Sequence, residues 1–242
     1  MKLVLDRWQG LGDNLQVSTI PRRFFEVFGE KCVYISERMF YRNEEIKKLV
    51  WEMNPYIAGF TNEVGLDIHP FITFKHFWIE EMERIYSLPE PYSQKPEIYY
   101  PIIETDRFGV SNKIIMDISY SDQSYKDVIM NIPNAFNNIK NFFDNFKDYD
   151  NSYVINFENL KNNKNHREFW KEVLPLNFSN IITVKNIYEY CEVIKHCKHF
   201  ICSHSGCNAL SAALRNGTTC LIPAHCHKLH HFVFPNNEYI II

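Results

Sequence analysis

The chain has no apolar run near the roughly 18 residues that a membrane span needs, so no transmembrane helix is expected. It has no excess of positive charge. The formal net charge is -3, which speaks against a protein whose main task is gripping nucleic acid. It contains no Cys-x-x-Cys pair, the spacing on which many zinc sites are built. No signal peptide is recognisable, because Met1-Lys2-Leu3-Val4-Leu5-Asp6 offers only a short apolar run before a charge. Its seven cysteines form an odd set, six of them at or after Cys191. In a chain without a leader these read as reduced thiols, and the expected location is cytoplasmic. Neither a dinucleotide fingerprint nor a P-loop occurs, and no internal repeat stands out.

What is present is core material. The 242 residues are 45% hydrophobic, with 19 Phe and 14 Tyr, enough for one large domain or two small ones. Leu3-Val4-Leu5 reads as a strand, followed by Gly10-Leu11-Gly12-Asp13. Leu15, Ile20, Phe24, Val27 and Phe28 then recur at helical spacing up to Gly29. Cys32–Ile35 is a second strand, Glu44–Met53 a second helix and Tyr56–Phe60 a third strand. His76–Tyr86 reads as a helix. Pro89, Pro91 and Pro96 then forbid regular helix and lead to a linker near Thr105–Ser111.

A second alternation follows. Strands are expected at Lys113–Ile118, Ser152–Phe157, Asn180–Val184, His199–Cys202, Thr219–Ile222 and Tyr239–Ile242. Helices are expected at Pro133–Phe146, Ile187–Cys197 and Asn208–Arg215. Strand–helix alternation implies parallel sheets with crossover helices. The expected class is α/β, with an N-terminal domain over 1–107 and a C-terminal domain over 108–242.

Four groups of residues carry candidate chemistry. A glycine turn between the first strand and first helix lets backbone approach a ligand, and ligands gather at the carboxyl ends of parallel strands. Asp13 stands at that edge, either as a helix cap or as a proton acceptor. Ser203-His204-Ser205-Gly206-Cys207-Asn208 is a second polar turn at a strand end. It serves either to hold a diphosphate or as an ordinary crossover. Cys220, His225, Cys226, His227, His230 and His231 form a crowd with three readings: a polar loop, a phosphate- or sugar-binding edge, or a structural metal site. Lys126 follows a strand of the second half, as a phosphate partner or a surface lysine. Arg22 and Arg23 read as a solvated helix face.

Gly10-Leu11-Gly12-Asp13-Asn14-Leu15-Gln16-Val17-Ser18-Thr19-Ile20-Pro21 resembles the opening of the bacterial heptosyltransferases, glycosyltransferase family 9. The family's second motif, Asp-Ser/Thr-Gly-x-x-His-x-x-Ala-Ala, resembles His204-Ser205-Gly206-Cys207-Asn208-Ala209-Leu210-Ser211-Ala212-Ala213. Two positions depart: the family's aspartate is His204 here, and its histidine is Ala209. The resemblance covers the two ends of a chain shorter than family members.

It implies a GT-B fold of two Rossmann-like halves facing a cleft, with a reduced N-terminal half. It further implies a nucleotide-diphosphate sugar as donor, held by the C-terminal half. Gly12, Lys126, Ser203, His204, Ser205, Gly206, Cys207 and Asn208 match the donor side, and Asp13 matches the family's general base. The implied reaction is inverting transfer to a glycan or glycolipid of lipopolysaccharide, capsule or a related surface glycan. No cofactor, metal or nucleic acid is implied, and the glycolipid acceptor allows peripheral contact with the inner membrane. Two other readings stay open: another sugar-nucleotide enzyme, a hydrolase or epimerase, and a non-catalytic binding protein of the same fold.

Overall fold

The computed structural model describes residues 2–6, 10–38, 41, 43–65, 77–117, 134–158, 180–223 and 233–242. The chain divides into two compact units. The first is Met1–Pro101 together with residues 233–235, and the second is Ile102–His227 with Asn236–Ile242. Among the described residues no helix is long and apolar enough to cross a membrane.

In the first unit β1 (Leu3–Leu5), β2 (Val33–Ser36) and β3 (Ile57–Thr61) pair in parallel in the order β1-β2-β3. Leu3, Leu5, Val33 and Ile35 are buried, and Leu3 lies in register with Val33 as Leu5 does with Ile35. The single helix expected over Leu15–Phe28 is instead two, α1 (Leu11–Gln16) and α2 (Ile20–Phe28). Pro21 explains the break. It has no N–H to offer the carbonyl of Val17 and its ring crowds that position, so it is tolerated only in the first turn of a helix. The chain between the helices winds tightly, with Val17, Ser18 and Ile20 donating to the carbonyls of Asn14, Leu15 and Val17. Gly29 closes α2, its N–H donating to Phe25 at 2.8 Å.

The second expected helix is α3 (Glu44–Lys47), capped by Asn43 and continued by a π turn over Lys48–Glu52. The wider turn buries three successive residues, Leu49, Val50 and Trp51. The Trp51 indole donates to the Asn14 side chain at 2.8 Å, which ties this turn to α1.

α4 (Trp78–Ile85) and the proline segment after it lie against α1 and α2. Here the reading of Arg22 and Arg23 as a solvated face is corrected. Arg23 is 8% exposed and pairs with Glu83, which also accepts from Thr19 at 2.8 Å and from the backbone of Ser93 at 2.9 Å. Arg22 donates to Glu97 at 2.7 Å, and Tyr99 donates to the other oxygen of that carboxylate. A cation at the helix surface was buried by carboxylates from a distant segment, which helical spacing cannot foresee.

The second unit carries a six-stranded parallel sheet. Its strands are β4 (Ile114–Asp117), β5 (Ser152–Phe157), β6 (Ile181–Val184), β7 (His199–Ser203), β8 (Thr218–Ile222) and β9 (Asn237–Ile241). The spatial order is β6-β5-β4-β7-β8-β9. This is the doubly wound order, built outward from two central strands, and it reverses direction between β4 and β7. β4 and β8 are buried at every residue, as expected of strands covered on both faces.

Three helices are described in this unit: α5 (Ala135–Asp144), α6 (Ile187–His196) and α7 (Gly206–Leu214). Asn186 caps α6 by accepting from the backbone of Tyr188 and Glu189. At its other end Arg215 donates to the carbonyls of Ile194, Cys197 and Lys198, groups that a helix terminus leaves unpaired. Arg107, in the expected linker, forms a bidentate pair with the buried Glu192 of α6.

Candidate functional site

The first group sits at the carboxyl end of β1. Gly10 is the N-cap of α1, Gly12 is buried in its first turn, and Asp13 is the third helical residue. Asp13 is therefore not the N-cap, and no side-chain cap bond forms at Gly10. Its half-buried carboxylate folds back over the loop instead. A Cβ built on Gly10 would lie 2.6 Å from Asp13 Oδ2. The first glycine of the motif is thus explained by space: any side chain there drives the carboxylate out of its position. Asn14 holds the same turn, its amide donating to the Gly10 carbonyl at 2.8 Å.

The second group sits where the strand order of the second unit reverses. β4 ends at Asp117 and β7 at Ser203, and Asp117 lies in register with Cys202. The turn after β7 is short. His204 extends the ladder, its N–H donating to Leu221 at 3.0 Å, and its side chain is buried. Ser205 caps α7 by accepting from the Cys207 N–H at 3.4 Å. That cap starts the helix two residues earlier than the sequence pattern indicated. Gly206, Cys207 and Asn208 are therefore its first turn, the end of a helix that favours negative charge, although the Cys207 and Asn208 N–H groups donate to Ser205 Oγ and the Ser205 carbonyl.

The individual side chains differ in what they offer. Ser203 is fully buried beneath the turn, and Ser205 is half-buried. The Cys207 thiol lies 2.9 Å from Ser205 Oγ and donates to the Ser203 carbonyl. Asn208 is fully buried, and its side-chain oxygen accepts from Asn237 at 2.7 Å, so it joins α7 to β9. The small Ala209 and Ala212 are fully buried and let α7 lie close on the sheet.

Two residues at this edge were missed by sequence reasoning. Asp117 is a buried carboxylate that ends an otherwise apolar strand, and the Tyr190 hydroxyl of α6 donates to it. Burial first, and then the Asp117 charge, pushes the Tyr190 phenol well above its ordinary range, so it stays a donor. A carboxylate closing the run Ile114-Ile115-Met116 is the signal that marks the strand end. Burial likewise pushes the thiols of Cys202 and Cys207 well above their ordinary values. A buried, protonated thiol is a poor nucleophile.

The structure thus brings Ser203 to Asn208 together in one turn of the second unit, and Gly12 and Asp13 in one turn of the first. Lys126 and the histidine-rich stretch with His225, Cys226, His227, His230 and His231 lie outside the described residues. Among the described residues, no group of three or more His, Cys, Asp or Glu side chains is arranged to hold a metal ion.

No family model matches the sequence, and no curated protein matches it. Solved structures do. A family 9 glycosyltransferase from Veillonella parvula aligns over all of this chain and 86% of its own, with a TM-score of 0.65 at 9% identity. The ADP-heptose lipopolysaccharide heptosyltransferase II of E. coli aligns over 99% of this chain and 90% of its own, with a TM-score of 0.63 at 11% identity. The dodecameric iron-containing heptosyltransferase TibC, solved with ADP-D-beta-D-heptose, aligns over 98% of this chain and 63% of its own. Its TM-score is 0.59 at 12% identity. The chain therefore has the α/β fold of these glycosyltransferases, with a parallel sheet in each unit.

Proposed function

We propose that this protein is a cytoplasmic glycosyltransferase that moves a sugar from a nucleotide-diphosphate donor to a hydroxyl of a surface-glycan or glycolipid acceptor, with inversion. The observation that carries the reading is the Asp13 carboxylate at the carboxyl end of β1, with Gly10 left bare to make room for it at 2.6 Å. The shared fold with heptosyltransferases supports it, as does a glycine-containing first turn of α7 at the strand-order reversal.

In this mechanism Asp13 accepts the proton of the acceptor hydroxyl. The acceptor oxygen attacks the anomeric carbon from the face opposite the leaving group. The bond from that carbon to the diphosphate oxygen breaks, and the nucleoside diphosphate departs with the electron pair. The backbone N–H groups of Gly206 and its neighbours, at the positive end of α7, hold the diphosphate and stabilise the charge that develops on it. Lys126 adds a cation to the same group. Asp13 then releases its proton to solvent.

Asp13→Asn tests this. The amide keeps the shape but accepts no proton. Turnover on a competent donor–acceptor pair should fall on the order of 10²–10⁴-fold, with the melting temperature and donor affinity little changed. Near-normal turnover would end the catalytic role. Release of free sugar without acceptor, at a rate equal to that with it, would make the protein a hydrolase.

A further inference from the structure

The polar side chains between residues 14 and 19 are matched with care, except one. The Asn14 amide donates to Gly10 and its oxygen accepts from Trp51. Ser18 donates to Leu15 and accepts from the Glu97 N–H. Thr19 donates to Glu83. Gln16, at the end of α1, is 1% exposed, and neither its side-chain nitrogen nor its oxygen has a hydrogen-bond partner. Among the described residues it is the one buried amide with both ends unmatched. An unmatched buried amide is expensive to keep, and an apolar residue of the same shape would fill the position at less cost.

Its place on the helix gives it a use. Residues three apart lie on one face of an α-helix, so Gln16 follows Asp13 on the same stripe. Helical side chains lean toward the N-terminus of their helix, so a long side chain at position 16 covers the turn that holds Asp13. A carboxamide presents one donor and one acceptor side by side. The complementary ligand group is a pair of neighbouring hydroxyls, one accepting from the amide nitrogen and the other donating to its oxygen.

We infer that Gln16 is a positioning residue that reads a vicinal diol of the acceptor sugar and holds the neighbouring hydroxyl toward Asp13. The inference rests on the reading of Asp13 as the base. The acceptor end bearing the attacking hydroxyl is then a sugar with adjacent free hydroxyls, not a lipid alcohol or an amine. The missing partners of Gln16 in the free protein are those the acceptor brings.

The test uses the whole chain and the isosteric, apolar Gln16→Met. Without ligand this variant should melt higher than the parent by roughly 2 °C or more, because it removes an unmatched polar group. On the donor–acceptor pair used for Asp13→Asn, its acceptor KM should rise roughly ten-fold, the worth of two neutral hydrogen bonds, with donor affinity unchanged. A separate binding readout needs no catalysis. In ¹⁵N-labelled protein the Gln16 side-chain amide resonance, assigned by its loss in Gln16→Met, should shift on titration with methyl α-D-mannopyranoside. It should shift less with the 2-deoxy analogue.

A lowered melting temperature would show that the amide has a structural partner, and would overturn the inference. So would an amide resonance that neither sugar moves, or an unchanged acceptor KM. Gln16 can pass the melt and the titration while Asp13→Asn retains turnover. That result removes the base reading and leaves Gln16 as a sugar contact. The reverse pattern removes Gln16 alone.

Discussion

Gly10 and Asp13 constrain each other more tightly than a loose glycine-rich loop would. A methyl group on residue 10 meets the carboxylate at 2.6 Å, and the contact is to the end of a side chain, which can move aside, and not to backbone. Gly10→Ala should therefore move the carboxylate rather than unfold the helix. The expected result is a turnover loss of at least ten-fold, since misplacement of a reacting group by about 1 Å costs on the order of 10². The melting temperature should change little. An alanine variant with full turnover would mean that the carboxylate position does not matter to the reaction. At this scale the sequence was informative where chemistry is local. Asp13 beside two glycines is visible in the string. The bond between Tyr190 and Asp117 is not, nor is the burial of Arg23 by Glu83, because both partners come from other elements.

Elements were legible where the pattern is strong and continuous. The apolar run Ser152–Phe157 is β5 over its whole length, and the helix expected at Ile187–Cys197 is α6 over Ile187–His196. Boundaries failed where one residue overrides a period. Pro21 splits a helix that its apolar spacing would carry through, and Ser205 pulls the start of α7 back to Gly206. The second case bears on the donor turn. Gly206→Val places a branched side chain at the first helical residue, where the diphosphate must approach backbone. A nucleoside diphosphate should bind this variant at least ten-fold more weakly by titration calorimetry. Equal affinity would move the donor site elsewhere.

The turn before β4 gives an element-scale prediction in pH. Burial tends to raise the Asp106 carboxyl, but hydrogen bonds from the Val110 and Ser111 N–H groups outweigh it and hold it below its ordinary range. A carboxyl lowered in the folded state adds stability that is fully present above the unfolded value, about 4. That stability is lost as pH falls through the lower folded value. Asp106→Asn should flatten this acid limb of the melting curve, measured from neutral pH down to about pH 2.

At the scale of the whole molecule the proposed reaction divides the labour between the two units. The strand reversal and the α7 turn belong to the second, and the Asp13 turn to the first. A nucleoside diphosphate alone should slow amide exchange in β4, β7 and the start of α7. The gain would be about 2.7 kcal/mol at a hundred-fold excess over Kd. β1–β3 should respond only when acceptor is added. Protection confined to β1–β3 by the nucleotide would reverse the assignment of the units. The parallel α/β class was legible at this scale, since strand–helix alternation is written along the chain. The order of strands in the sheet was not, because parallel neighbours are chosen by packing across the sheet and leave no local mark.

The same strand order sets a timetable for synthesis. In the first unit neighbours in space are neighbours in sequence, so β1, β2 and β3 can pair as each leaves the ribosome. In the second unit β4 emerges first and is a central strand. It can dock β5 early, yet its other edge waits for β7, and residue 114 finds residue 199 only after β5, β6 and α6 have been made. An unpaired apolar strand edge is a template for pairing with other chains. The nascent second unit therefore carries an open, sticky edge through much of its own translation, and late pairings of this kind are intrinsically slow. The centre of the sheet closes only after one whole side of it has been made, and β8 and β9 then add outward from β7.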